Sequence, residues 1–300
     1  MRLLKIKAVL AATDLDPSSD PALASAARLA EAAGAVLHVA HVVPSERSTA
    51  ASSGLVSGSS PQMEMTATLH RVGLSGKKRN VHIESGAPGK ALSSLSERIG
   101  ADVIVIGRHR PGGELRIDGD IGGTAHSIVT NSLVPCLVTS RQLQLPIRRA
   151  LVAIDTSETA RGAMIVALSW SSALRDAKGD SDPTLTALHV ETGRNLSSRD
   201  AHMRRTIDHE LDILRRSAGS WAGVSVAGAT ETDDDPVAAI TRYAAEHQTE
   251  LVVLGTRGLS ADRALRLGSV SAAVTRQSRM PVLLVPPAVW RDYARDIDYF

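Results

Sequence analysis

Short apolar runs alternate with helical stretches along the whole chain. Residues 251–254 form a continuous apolar run, which is typical of a strand buried on both faces of a parallel sheet. Gly255 follows at once, where a buried strand must turn, and a helical stretch with Val270 and Val274 on one face comes after Gly268. Strands that alternate with helices in this way predict βαβ units and a parallel sheet.

The first half of the chain repeats the second. Four pairs of segments align: residues 9–14 with 150–155, 40–42 with 188–190, 102–107 with 250–255, and 134–138 with 280–284. A repeat of roughly 145 residues has the size of a whole domain. The sequence therefore predicts two copies of one α/β domain, residues 1–144 and 145–287, followed by a C-terminal aromatic tail, residues 288–300.

The glycines after the apolar run follow the pattern Gly255-x2-Gly258-x9-Gly268-Ser269. Glycines let backbone N–H groups approach a phosphate closely, and a helix start offers unpaired N–H groups with a favourable dipole. Ser269 is predicted as the N-cap of the following helix. The pattern thus favours an anion-binding loop, although glycines that only make turns and a serine that only caps would look the same in isolation.

The spacing of these glycines resembles the nucleotide-binding signature of the ATP-binding branch of the universal stress protein family. Residues 151–158, in which an apolar run ends in Asp155, resemble the family's first strand, and residues 280–285 resemble its last. The resemblance covers residues 148–286. It implies two tandem flavodoxin-like, Rossmann-like α/β domains, each a five-stranded parallel sheet in the order 3-2-1-4-5 flanked by helices, packed as an internal pseudo-dimer.

In that strand order, a ligand lies at the carboxyl ends of strands one and four, where the order reverses. The resemblance implies that Asp155 accepts hydrogen bonds from the base or the ribose, that Val190 presents its backbone to adenine, and that Gly255 lies against the ribose. It implies that the phosphates are bound by the rest of the loop and the helix start, namely Gly258, Gly268, Ser269 and Val270. Arg257 is either an additional phosphate ligand or a solvated side chain.

The function that the resemblance implies is that of a regulatory stress-response protein that binds ATP or a related adenine nucleotide in its C-terminal domain. It leaves open whether Mg²⁺ accompanies ATP. Two alternatives are a stress scaffold that binds no nucleotide and a slow ATPase. The sequence shows no positioned general base and no set of metal ligands, so we predict no catalytic residue, no metal site and at most slow hydrolysis.

The composition narrows the expected partners. The 300 residues carry a net charge of +2 and are 43% hydrophobic, so neither a nucleic acid nor an anionic membrane is an expected partner. No apolar run approaches the length of a membrane helix, and the first residues lack the apolar core of a signal peptide. The single cysteine, Cys136, lies in an apolar run, which predicts a small core residue in a reducing compartment. We therefore expect a cytoplasmic protein, and leave a homodimer open.

Three further features have alternative interpretations. The aspartates at 233–235 precede Pro236, which favours a helix N-terminus over a magnesium site. His41 and His189 occupy matching positions near strand ends, either as strand residues with satisfied ring nitrogens or as neighbours of a site. The tail carries four of the chain's seven aromatic residues, and we expect it to form a short helix from Ala288 and to dock on another surface.

The N-terminal copy departs from the glycine pattern, which predicts that it binds ATP weakly or not at all. Gly107 is kept, but Arg110 stands in the place of the second glycine, the spacing to Gly122 is longer by two residues, and Gly123 replaces the hydroxyl residue. Calorimetric titration with ATP is therefore expected to show a single high-affinity site per chain. Two equal sites per chain would contradict this assignment.

Overall fold

The structure is a computed structural model, and it describes residues 4–44, 60–108, 123–175, 182–192, 205–206, 208–209, 212, 223–258 and 267–295. The chain divides into two compact units. One unit is Ile6–Leu143, and the other is Gln144–Phe300 together with Met1–Lys5.

The first unit is a parallel sheet with helices. Its strands are β1 (Ala8–Ala12), β2 (Val36–Val43), β3 (Asn80–Ser85), β4 (Val103–Gly107) and β5 (Cys136–Thr139). Its α-helices are α1 (Asp20–Ala33), α2 (Pro61–Arg71), α3 (Pro88–Ile99) and α4 (Gly123–Asn131). Every strand pair within the unit is parallel, and the order is β3-β2-β1-β4-β5.

The second unit repeats this architecture. Its strands are β6 (Arg149–Ala153), β7 (Thr184–Glu191), β8 (Ser225–Thr232), β9 (Leu251–Gly255) and β10 (Val282–Val285). The α-helices whose bounds the structure describes are α5 (Glu158–Ala173), α6 (Pro236–Glu246), α7 (Ser269–Gln277) and α8 (Pro287–Arg295). The strands are again parallel, in the order β8-β7-β6-β9-β10. The predicted α/β class and the order 3-2-1-4-5 are confirmed in each unit.

The central strands are buried because their apolar runs face helices on both sides. All five residues of β1 are buried, and so are the first four of β9. The edge strand β8 instead mixes half-buried and exposed positions. Cys136 is buried in β5, and burial raises the pKa of its thiol, so it is the small core residue that the sequence predicted. Among the described residues, no helix is long and apolar enough to cross a bilayer.

The repeat extends to individual side-chain contacts. In the first unit, the Asp102 carboxylate accepts hydrogen bonds from the backbone N–H groups of residues 7 and 8, at 2.6 and 2.9 Å. In the second unit, the Glu250 carboxylate accepts two from residues 148 and 149, at 2.6 and 3.2 Å. Each acidic side chain thus joins the start of the fourth strand of its unit to the start of the first strand. The same contact occurs within each of the two units.

The described part of the C-terminal tail packs on α5 of the same unit, so for this part the expectation that the tail docks on another surface is confirmed, and that surface belongs to its own chain. Trp290 lies over Gly162, where an added Cβ would come within 3.4 Å of the Trp290 backbone N and Cβ. The Arg161 guanidinium lies 5.9 Å from the centre of the Trp290 ring, and Tyr293 is buried. Helix α8 begins at Pro287, one residue before the predicted start, and residues 296–300 lie outside the described part of the chain.

Helix α8 is expected to stabilise the second unit. Trp290→Ala should lower the free energy of unfolding by about 1–3 kcal/mol, because it removes a half-buried aromatic ring from α5. Thermal melting measures the effect, with Arg291→Ala, an exposed position of the same helix, as the control. If both variants melt like the parent protein, then the packing of α8 on α5 contributes nothing to stability.

A pair of histidines links β2 to β3 in the first unit. His38 Nδ1 lies 3.0 Å from His82 Nε2, and His38 is buried. Burial lowers the pKa of His38, and the neighbouring His82 lowers it further. Burial also lowers the pKa of His82, with Arg98 acting in the same direction and Glu84 opposing it. Both rings are therefore harder to protonate in the folded protein than in the unfolded chain.

This pair should make the first unit less stable in acid. Since the folded pKa values lie below the ordinary value of 6.5, the unfolded chain binds more protons, and stability falls as the pH drops below 6.5 through the folded values. His82→Gln keeps a side chain capable of hydrogen bonding and removes one titrating group. Between pH 7.5 and 5, urea unfolding should show a smaller decrease in the free energy of unfolding for this variant than for the parent protein. The same dependence on pH in both proteins would contradict the assignment.

Candidate functional site

Asp155 and the glycine turn meet at the carboxyl ends of β6 and β9. These two strands are neighbours, and the strand order of the second unit reverses there. A Cβ added at Gly258 would lie 2.6 Å from Asp155 Oδ2. Gly258 does not adopt a left-handed backbone, so the position suits glycine because of the carboxylate beside it. The sequence placed both residues at this end of the sheet, and the structure brings them into contact.

Asp155 is held by the turn that follows it. Asp155 Oδ1 accepts hydrogen bonds from the Ser157 backbone N–H at 3.1 Å and from the Ser157 hydroxyl at 2.6 Å. Thr156, between them, has a left-handed φ of 64°, which is uncommon for a β-branched residue. The turn therefore fixes the direction of the carboxylate before any ligand binds.

Three hydroxyl residues that the sequence analysis did not single out build the frame of the site. Ser157 is the N-cap of α5 and accepts from the backbone N–H of Ala160. Thr159 is buried, and its hydroxyl donates to the Arg257 carbonyl. Ser271 in α7 donates to the Gly255 carbonyl at 2.6 Å. Together these hydroxyls tie α5 and α7 to the end of β9.

Gly255 is required by the packing of α5. A Cβ at this position would lie 2.6–2.8 Å from three atoms of Thr159, two of its side chain and one of its backbone. Such distances exclude a side chain unless the helix moves. The matching Gly107 of the first unit is less confined, because its nearest contact would be Ser19 Cα at 3.4 Å. That Gly255 lies against a ribose stays a prediction.

The two ends of the glycine loop are joined by a backbone hydrogen bond. The Gly268 N–H donates to the Thr256 carbonyl at 2.7 Å. A Cβ at Gly268 would lie 3.6 Å from Arg257 Cα and 3.7 Å from Gly258 N. The intervening residues 259–266 lie outside the described residues, but the positions that start and end the loop are side by side.

Helix α7 begins at the joined loop end. Its N-cap is Gly268, not Ser269 as the sequence predicted, because the Gly268 carbonyl already accepts the first helical bond from Ala272 at 3.0 Å. Glycine has no side chain to cap the first turn, and Ser269 is exposed. The first N–H groups of a helix have no intrahelical partner, so Ser269 and Val270 present donors at a positive helix end.

The backbone groups of Val190 face the end of β6, next to Asp155. In a parallel strand, successive residues direct their backbone groups alternately to the two neighbouring strands. The Leu188 carbonyl accepts from the Ile154 N–H at 2.9 Å, and the Glu191 carbonyl accepts from the Asp233 N–H in the other direction at 3.0 Å. The N–H and C=O of Val190 therefore face the side of Ile154, next to Asp155.

Arg257 supplies a positive charge at the loop. Its backbone is fixed by Thr159, and its side chain is half-buried. The Arg257 Nε atom is buried and has no hydrogen-bond partner among the residues that the structure describes. A buried donor without a partner is costly.

The aspartates at 233–235 lie at the start of α6. Asp235 caps α6 by accepting from two backbone N–H groups, and Asp233 bonds the Asp235 N–H and Arg242, which lower the pKa of Asp233. The helix interpretation of the three aspartates is therefore confirmed.

Among the described residues, no group of three or more His, Cys, Asp or Glu side chains could hold a metal ion. In the first unit, Arg110 and Gly122 lie outside the described range, while Gly123 begins α4.

Comparisons with known proteins agree with this architecture. The sequence pattern of the universal stress protein family matches residues 5–140 and 146–286. A universal stress protein of Synechocystis sp. is 27% identical over 182 residues, which cover 61% of this chain and only 57% of that relative's length.

Solved structures share the fold along the whole chain. A universal stress protein of Archaeoglobus fulgidus has a TM-score of 0.61 and 19% identity, covering 95% of this chain and 97% of that chain. A protein of unknown function from Pseudomonas aeruginosa has a TM-score of 0.60 and 14% identity, covering 97% and 98%. At these identities the two structures support the fold alone. Since the family pattern matches both repeats over nearly their full length, the chain belongs to the universal stress protein family and carries two of its domains in tandem.

Proposed function

We propose that this chain is a regulatory stress-response protein that binds an adenine nucleotide, ATP first, in its second unit. One observation carries the proposal. The hydrogen bond from the Gly268 N–H to the Thr256 carbonyl joins the two ends of the loop, and so brings the glycine turn and the start of α7 to the place where Asp155 lies against Gly258. Donors for an anion and an acceptor for a hydroxyl group thus meet at one point.

The loop end and the helix start suit a polyphosphate. Gly258 and Gly268 leave their backbone open to close approach, and the first turn of α7 adds the N–H groups of Ser269 and Val270 and the Ser269 hydroxyl. The guanidinium of Arg257 adds a full charge, and its buried Nε, which has no partner within the described part of the chain, would gain one. Any accompanying Mg²⁺ would be coordinated chiefly by phosphate oxygens, as is usual for this ion.

The opposite end of the site suits a nucleoside. Val190 offers a backbone donor and acceptor side by side, which matches the donor and acceptor edge of adenine. Asp155 suits a ribose hydroxyl, because a carboxylate only accepts hydrogen bonds.

A binding role is favoured over catalysis. Two hydrogen bonds from Ser157 hold the Asp155 carboxylate in one orientation, which suits a fixed hydrogen-bond acceptor. A bound nucleotide would then act as a signal that the protein reports. The packing of the repeats as a pseudo-dimer, a homodimer and a cytoplasmic location stay predictions.

Substitution at the loop tests the proposal. Gly258→Val should abolish detectable ATP binding, because its branched side chain needs the space of Asp155 Oδ2 and shields the backbone from phosphate. Ser269→Ala should be milder, weakening binding by about 10- to 100-fold, as expected for one hydrogen bond to a charged group. Isothermal titration calorimetry measures both effects, and mass spectrometry identifies any small molecule released when the parent protein is denatured.

The control is Gly123→Ala at the corresponding helix start of the first unit, where a Cβ would meet no atom within 4 Å. This variant should bind ATP like the parent. A Gly258→Val protein that is folded and binds ATP with unchanged affinity would refute the phosphate assignment. A parent protein that neither releases nor binds nucleotide would favour the scaffold alternative, and ATP turnover that disappears in Asp155→Asn would favour the slow ATPase.

A further inference from the structure

His189 makes a side-chain contact that bears directly on the proposed site. Its Nδ1 lies 3.0 Å from the carbonyl oxygen of Ile154, the residue immediately before Asp155. A carbonyl group can only accept, so the Nδ1 atom carries the hydrogen. The residue is only 7% exposed, which holds the ring in place. His189 therefore precedes Val190 in the sequence and is hydrogen-bonded to Ile154, the residue before Asp155.

The contact lies where the ladder between β6 and β7 ends. The paired register stops at Ala153 and Leu188, and the Ile154 N–H donates to the Leu188 carbonyl at 2.9 Å as the last backbone bond. In a parallel ladder that continued, the next donor to the Ile154 carbonyl would be the Val190 N–H. That carbonyl instead accepts the ring N–H of His189. The imidazole thus replaces one backbone hydrogen bond between β6 and β7 at this point.

The first unit contains the same histidine-to-carbonyl contact. His41 Nδ1 lies 2.9 Å from the Thr13 carbonyl, and the Thr13 N–H donates to the Ala40 carbonyl at 2.9 Å. The first unit lacks the glycine pattern but keeps this histidine, so it provides an internal control with nearly identical geometry. A contact that served only to stabilise the sheet would contribute equally in both units.

We propose that His189 is a positioning residue for the nucleotide site: its ring ends the ladder at Ile154, which leaves the Val190 backbone for the base and holds the turn that carries Asp155. This inference rests on the proposed function for its ligand. Without the ring donor, the Val190 N–H would compete for the Ile154 carbonyl, and the turn at residues 155–157 would lose its anchor.

Two substitutions of similar shape separate the hydrogen bond from simple packing. His189→Asn places an amide N–H near the position of Nδ1, whereas His189→Leu has a comparable shape and no donor. His189→Leu should raise the ATP dissociation constant about 3- to 10-fold, the effect of losing one hydrogen bond, and His189→Asn should stay near the parent value. His41→Leu, the matched control, should leave ATP affinity unchanged. If His189→Leu does not fold, His189→Met replaces it, because methionine also lacks a hydrogen-bond donor.

A second measurement needs no nucleotide. Amide hydrogen exchange of Ser157, whose N–H donates to Asp155 Oδ1, reports whether the turn is held. In ligand-free protein, exchange should be about 3- to 10-fold faster in His189→Leu than in the parent, and near the parent rate in His189→Asn and His41→Leu.

The outcomes are distinct. Faster exchange and weaker binding in His189→Leu, both restored in His189→Asn, support the proposal. An unchanged exchange rate, or unchanged ATP affinity in a protein that binds ATP, overturns it. If the parent binds no ATP, the proposed function fails, and the exchange comparison alone decides whether His189 positions the turn.

Discussion

The packing of the first turn of α5 against the end of β9 is the contact on which the second unit's site depends. Thr159 occupies the space that a side chain at position 255 would need, and its hydroxyl bonds the carbonyl of Arg257. This contact sets the direction in which the chain leaves β9, so that the turn passes Asp155. The same helix start also fixes the carboxylate, through Ser157. A close steric fit between a helix and a strand end thus determines where charged and polar groups meet.

The two repeats show how one scaffold carries two different electrostatic environments. Asp14 Oδ1 accepts from the backbone N–H of Asp16 at 3.1 Å, as Asp155 does from Ser157. The first repeat therefore keeps the turn but has a second carboxylate where the other has a hydroxyl. Asp14 and Asp16 are both exposed. Their two negative charges would repel a bound polyanion. At this turn the second repeat therefore carries one carboxylate fewer than the first.

Much of the fold could be predicted from sequence because continuous apolar runs and their repetition are local signals, and the family resemblance supplied the strand order. The placement of Asp155 beside Gly258 also followed from the strand ends. The roles of Thr159 and Ser271 could not be predicted, because their hydroxyls bond residues distant in the chain. The helix cap was misplaced by one residue, since either Gly268 or Ser269 suits the position and only the backbone bond to Ala272 distinguishes them.

Helix α8 follows residue 286, where the match to the family pattern ends, and it gives the second unit a further property. Its Trp290 ring lies near the Arg161 guanidinium, and the Arg161 N–H donates to the Ser157 carbonyl within the first turn of α5. An indole next to a cation is sensitive in its fluorescence to small changes in their separation. A ligand that shifts that turn would change this distance, and Trp290, one of three tryptophans in the chain, would then contribute to a fluorescence signal without an attached dye.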